Sequence, residues 1–152
     1  MSYNPYSLEG KTILVTGASS GIGKATAVEC SKLGAGVVIT GRDEKRLSDT
    51  FSLLQGDSHI QLVADLGKEE DLSLLVNRLP ALDGIAHIAG IVKTIPVTFL
   101  KKQDMQHLFD VNFFAPTLLT TGLLKQKKIR KPSSIVFISS IEGPLTVHPG
   151  NS

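Results

Sequence analysis

Between Lys11 and Ser139 a short, β-branched apolar run, a polar or glycine turn and a longer amphipathic stretch succeed one another again and again. The apolar runs are Lys11–Thr16, Val37–Thr40, His59–Ala64, Leu82–Ala89 and Ser134–Ser139, the fourth interrupted near its start by Asp83-Gly84. Runs that are apolar throughout, rather than alternating, belong to strands buried on both faces. Between them, Ile22, Thr26, Cys30 and Leu33 form a helical stripe that Gly34 ends, and Leu47, Phe51 and Leu54 form another behind a capping Asp43. Leu72, Leu75, Val76 and Leu79 make a third stripe. Met105, Leu108, Phe109, Asn112 and Phe113 make a fourth on a longer helix that Pro116 is expected to kink. Strands alternating with helices imply parallel pairing through right-handed crossovers, which is a doubly wound α/β sheet. In 152 residues without repeat or linker, that is one domain spanning 1–152.

Charge and thiols narrow the function. Sixteen Lys and Arg against 14 Asp and Glu leave a net charge of +2, too small a field for nucleic-acid or anionic-membrane binding. Cys30 is the only cysteine, so neither an intrachain disulfide nor a thiolate zinc site is expected. The first ten residues lack the basic start and apolar stretch of a signal peptide, and no apolar run reaches the roughly 18 residues of a membrane span. A cytoplasmic protein is expected.

Open sheets of this kind bind ligands beyond the carboxyl ends of their strands. The segment Thr16-Gly-Ala-Ser-Ser-Gly-Ile-Gly23 lies there, between the first strand and the first helix. Gly17 permits a tight turn, Gly21 lets backbone approach a phosphate, and Gly23 lets the helix pack closely. Unpaired N–H groups and the positive end of the helix dipole complete an anion site, against which stands a purely structural turn.

That segment, preceded by Leu8-Glu-Gly-Lys11, resembles the nucleotide-binding motif of the short-chain dehydrogenase/reductase family. Further motifs follow in the family's order from about Leu8 to Ser152: Asp65-Leu66, Ala89-Gly90, Asn112 and Ile138-Ser-Ser140. The resemblance implies a Rossmann-like fold with strand order 3-2-1-4-5. It implies that Ser19, Ser20 and Ile22 line the cofactor phosphates, Asp65 and Leu66 the adenine, and Ala89 and Gly90 the nicotinamide-side ribose. The family's Asn-Asn-Ala-Gly is His87-Ile-Ala-Gly90 here, an imidazole and an alkyl group in place of two amides. His87 reads as a satisfied core histidine rather than a catalytic one.

The second strand ends Thr40-Gly-Arg-Asp43. An NAD site places a carboxylate there for the ribose 2′-hydroxyl, whereas an NADP site places cations for the 2′-phosphate. Gly41 occupies the family's acid position and Arg42 follows, which favours NADP over NAD, provided that Asp43 caps its helix instead of pointing inward.

In the family a tyrosine is the proton donor, a lysine lowers its pKa, a serine binds the substrate oxygen and a helix asparagine holds a relay water. Ser140, with Ser139 its neighbour, matches the serine. Asn112 matches the asparagine, against a structural hydrogen bond. The Tyr-x-x-x-Lys helix is expected about thirteen residues after Ser140, past Ser152, since Tyr3 and Tyr6 precede the first strand. The reading is thus the truncated cofactor half of an NADP-dependent oxidoreductase, inactive alone. The intact enzyme would interconvert a secondary alcohol and a ketone or oxo-acyl substrate as a dimer or tetramer. The alternative is a non-catalytic NADP(H)-binding module or sensor.

The remaining clusters read as structural. Glu69, Glu70 and Asp71 open a helix at its positive end, and Lys125, Lys127, Lys128, Arg130 and Lys131 sit at the end of the long helix, where cations suit the negative end. His59, His107 and His148 lack ligand spacing, so no metal is expected.

Overall fold

A computed structural model describes residues 4–140. Five parallel strands form one sheet, β1 (Thr12–Thr16), β2 (Gly36–Gly41), β3 (Ile60–Val63), β4 (Leu82–His87) and β5 (Ile129–Phe137), in the order β3-β2-β1-β4-β5. The helices are α1 (Gly21–Lys32), α2 (Glu44–Phe51), α3 (Glu69–Arg78), α4 (Lys102–Phe109) and α5 (Ala115–Lys125). The expected doubly wound, Rossmann-like sheet in the order 3-2-1-4-5 is the one observed.

Alternate residues of the central strands feed two cores, as the two-residue strand period requires. Leu14, Val38, Leu62 and Ile85 pack with Leu72, Leu75 and Val76 of α3 and Leu119 and Leu123 of α5. Val15, Val37 and Ile39 pack with Ala27 of α1 and Leu47 of α2 on the other face. Gly34, at φ +93°, closes α1: its N–H reaches the Ser31 carbonyl at 3.0 Å and the Ala35 N–H reaches that of Cys30 at 3.1 Å, the Schellman arrangement. Asp83, at the expected interruption of β4, accepts from the Thr12 N–H at 2.8 Å and from Arg130 at 2.7 Å, tying β1, β4 and β5 together at their amino ends.

Three helix faces differ from expectation. In α1 the buried residues are Gly23, Ala27 and Ser31, one position on from the expected stripe, and Ile22 is exposed. Small side chains let α1 lie close to the sheet, and a stripe chosen by apolar bulk misses them. In α2 the buried pair is Leu47 and Thr50, with Phe51 at the surface and Leu54 beyond the helix. In the long helix Pro116 lies in the first turn of α5, directly after a π turn over Asp110–Phe114. The backbone stays helical through that turn, which shifts the helix phase. Val111, Ala115, Leu119 and Leu123 therefore face the core, while Met105, Phe109, Asn112 and Phe113 are exposed.

The basic cluster is also distributed differently. Lys128 donates to the carbonyls of Val76 and Asn77 at 2.8 and 2.7 Å, capping α3 rather than α5, and Arg130 and Lys131 belong to β5. Among the described residues no helix is long and apolar enough to cross a membrane.

Candidate functional site

At the carboxyl ends of β1, β2, β3 and β4 lies a cleft of about 330 Å³, within the size range of ligand sites. All eleven residues expected to contact a cofactor line it: Gly17, Ser19, Ser20, Gly21, Ile22 and Gly23 after β1, Arg42 after β2, Asp65 and Leu66 after β3, and Ala89 and Gly90 after β4.

The glycine loop is held by its neighbours rather than by its own turn alone. A Cβ on Gly17, whose φ is +67°, would stand 2.7 Å from the Ala89 Cα, and one on Gly23 would stand 2.2 Å from the Gly17 carbonyl oxygen. Gly21, at φ +54°, has nothing within 4 Å of such a position, so its wall is left open toward the cleft. Thr16 ties the end of β1 to the turn after β4: its Oγ1 accepts from the N–H groups of Ile88 and Ala89, both at 3.0 Å. That hydroxyl is a site-building residue that glycine spacing does not reveal, although it opens the motif.

Charge at the end of β2 is one-sided. Asp43 caps α2, its Oδ1 accepting from the Arg46 N–H at 2.9 Å, and so does not turn into the cleft. Gly41 is buried and lines the cleft, and a Cβ there would stand 3.2 Å from the Ser19 Oγ, so no carboxylate occupies this position and the serine hydroxyl lies against it. Arg42 and Arg46 both line the cleft, and among the described residues no carboxylate lies within ion-pairing distance of either. Arg46 was missed in the sequence because its position reads as solvent-facing helix. Asp65 uses one carboxylate oxygen on the Gly67 N–H at 3.0 Å, and its own N–H donates to Asp71 at 2.8 Å, which fixes the turn that presents Leu66. Asp71, one of the acidic run opening α3, is thus a support of this wall.

Asn112 and Ser140 do not line the cleft. Asn112 is exposed rather than on the buried stripe, and its amide is spent on one backbone unit: Oδ1 accepts from the Ile91 N–H and Nδ2 donates to the Ile91 carbonyl, each at 2.8 Å. One hydrogen and one lone pair of the amide remain. Ser140 lies three residues past the end of β5, beyond the Ile138 N–H that bonds the His87 carbonyl at 3.2 Å.

His87 is a core residue, 5% exposed. Its ring stacks on Phe137 at 4.8 Å, and Nε2 lies 2.9 Å from the Thr120 Oγ1. With that hydroxyl donating to the Pro116 carbonyl at 2.8 Å, Nε2 carries the ring proton. Burial pushes the imidazole pKa down to about 4. Among the described residues no group of three or more His, Cys, Asp or Glu is placed to hold a metal.

The short chain dehydrogenase profile matches residues 11–151. The chain belongs to the short-chain dehydrogenase family. Among its relatives, the 3-oxoacyl-[acyl-carrier-protein] reductases FabG of Rickettsia felis and Rickettsia prowazekii are 34% and 35% identical over 145 residues, covering 95% of this chain. The chain spans 59% of the length of those relatives. A short chain dehydrogenase structure from Salmonella enterica serovar Typhi superposes with a TM-score of 0.81 at 32% identity, over 93% of this chain and 62% of that one. An Escherichia coli CFT073 chain assigned to the short chain dehydrogenases, solved with NADPH, gives 0.79 at 33% identity, over 91% and 62%. This family is one of oxidoreductases on a Rossmann-type nucleotide-binding fold, and its nicotinamide dinucleotide fits the cleft on two structural grounds. A glycine loop packed tightly on its own backbone at Gly17 and Gly23, with open space at Gly21, stands at the start of α1, and unpaired guanidinium groups line the same cleft.

Proposed function

We propose that this chain, as one domain over residues 1–152, is the cofactor half of an NADP-dependent reductase acting between a ketone or oxo-acyl group and a secondary alcohol. The observation that carries the cofactor choice is the end of β2: a buried glycine where an acid would stand in an NAD site, then Arg42, with Asp43 held in a helix cap. The FabG relatives support the oxo-acyl class, and the NADPH complex of the Escherichia coli neighbour supports the cofactor.

In this reading Ser19, Ser20 and Ile22 contact the phosphates, Asp65 and Leu66 the adenine, and Ala89 and Gly90 the second ribose. When bound, NADPH supplies the hydride that converts the carbonyl carbon to that of a secondary alcohol. Ser140 holds the substrate oxygen by its hydroxyl. Asn112 keeps its remaining hydrogen and lone pair for a water that passes a proton. The tyrosine and lysine of the family's Tyr-x-x-x-Lys motif complete the site in the intact enzyme, a cytoplasmic dimer or tetramer without nucleic-acid or membrane partners and without a metal.

A non-catalytic NADP(H)-binding module is the second reading. It is favoured by the cleft itself, which residues 17–111 complete without Asn112 or Ser140. NADPH oxidation with a panel of ketones and 3-oxoacyl thioesters separates the two. Turnover by a protein carrying this sequence together with a Tyr-x-x-x-Lys helix, abolished by Ser140→Ala, supports the reductase. Tight NADPH binding without turnover in that same protein supports the module.

A further inference from the structure

The family's choice between NAD and NADP is read at the end of β2, yet the cation that stands there is not alone. Arg46 belongs to the first turn of α2, lines the same cleft as Arg42, Gly41 and Ser19, and is exposed. Among the described residues it has no carboxylate within ion-pairing distance. Its backbone is fixed, because its N–H is the one that the Asp43 cap holds. Lys45, its chain neighbour, does not line the cleft. An arginine fixed at its root, unpaired and turned to a cavity is costly to order unless an anion meets it, and its planar fork suits phosphate.

Ser19 adds a second element. Its Oγ lies beside Gly41, 3.2 Å from where a Cβ would be, which puts that hydroxyl at the end of β2 rather than over the start of α1. Ser19, whose hydroxyl lies by Gly41, and two arginines from the end of β2 and the start of α2 thus line one cleft, whose β2 end is where the adenosine ribose of a dinucleotide lies if the proposed cofactor binds.

We infer that Arg46 is a specificity-determining residue that shares the 2′-phosphate of the cofactor with Arg42, with Ser19 donating from the loop. This rests on the NADP reading proposed above. The adenosine phosphate is then recognised by two arginines from opposite ends of the α2 cap, and Asp43 serves selectivity by holding both in place.

The test is equilibrium binding by the 152-residue chain, with NADPH, NADH, adenosine 2′,5′-bisphosphate and 5′-AMP as probes. Arg46→Gln should weaken NADPH and the bisphosphate roughly tenfold, the size expected for losing one charge-assisted contact at an exposed site, and leave NADH and 5′-AMP within about twofold. Arg46→Lys should fall between, since it keeps charge and loses the fork. Lys45→Gln should change nothing. An Arg46→Gln chain whose NADPH-to-NADH ratio equals the parent's overturns the inference, as does a Lys45→Gln loss of the same size, which reports only a general field. If the parent chain itself prefers NADH or binds neither dinucleotide, the NADP reading fails and takes this inference with it. If the parent prefers NADPH and only Arg42→Gln removes that preference, the reading stands and Arg46 is excluded.

Discussion

At the scale of single residues, the glycines of the loop have unequal duties. Gly23→Ala and Gly17→Ala drive a Cβ into backbone at 2.2 and 2.7 Å, the latter also at a φ of +67°, whereas Gly21→Ala meets open space and only a strained φ. Urea melts should therefore rank Gly23→Ala and Gly17→Ala well above Gly21→Ala, at about 3 kcal/mol or more against about 1. Equal losses at all three would contradict the close backbone approach at Gly17 and Gly23. His87 carries a pH signature. Its folded pKa of about 4 lies below the unfolded value of 6.5, so below pH 6.5 the unfolded chain takes up a proton that the folded chain refuses. The stability from neutral His87 is complete above pH 6.5 and is lost as pH falls toward 4, on the order of 3 kcal/mol in all. His87→Gln should flatten that part of the stability-pH curve, and an unchanged slope would count against the buried neutral ring. The residues that line the cleft were legible in the sequence because glycine, a strand before it and a helix after it are local facts. Arg46, Thr16 and the exposed setting of Asn112 were not, because each depends on what the fold brings opposite.

Among the elements, the five parallel strands could be read from alternation and their order from the family resemblance, while the π turn in the long helix and the helix faces could not. The reason lies in α1 and in the π turn. Gly23, Ala27 and Ser31 carry too little apolar bulk to register as a buried stripe, and a five-residue turn changes the phase of every position after it. Caps make the testable difference here. Lys128→Met removes the ammonium from the carbonyls of Val76 and Asn77 at the end of α3, and should cost about 1–2 kcal/mol in a denaturant melt while leaving cofactor affinity unchanged. Asp43→Ala should cost about 1 kcal/mol and, unlike Lys128→Met, also weaken NADPH, because it frees the turn that carries Arg42 and Arg46. A cap loss that spares NADPH would detach α2 from the site.

The whole molecule is covered unevenly. Helices α1 and α2 cover β1, β2 and the edge toward β3 on one face, but among the described residues nothing covers Val136 and Ile138 at the β5 end, which are 51% and 53% exposed. Phe109, Phe113 and Leu118 add exposed apolar surface along α4 and α5. Exposed apolar side chains of this size favour association, so sedimentation of the 152-residue chain should show self-association that rises with concentration. A monomer at every concentration would contradict it. The central claim concerns the cofactor, and binding measures it most directly. The chain has no tryptophan, so the fluorescence of the reduced nicotinamide itself can be followed without protein emission in the way. One NADPH should bind per chain at least about tenfold more tightly than NADH, a gap that closes as salt is raised. Equal affinity for the two, or no binding of either, would contradict the account.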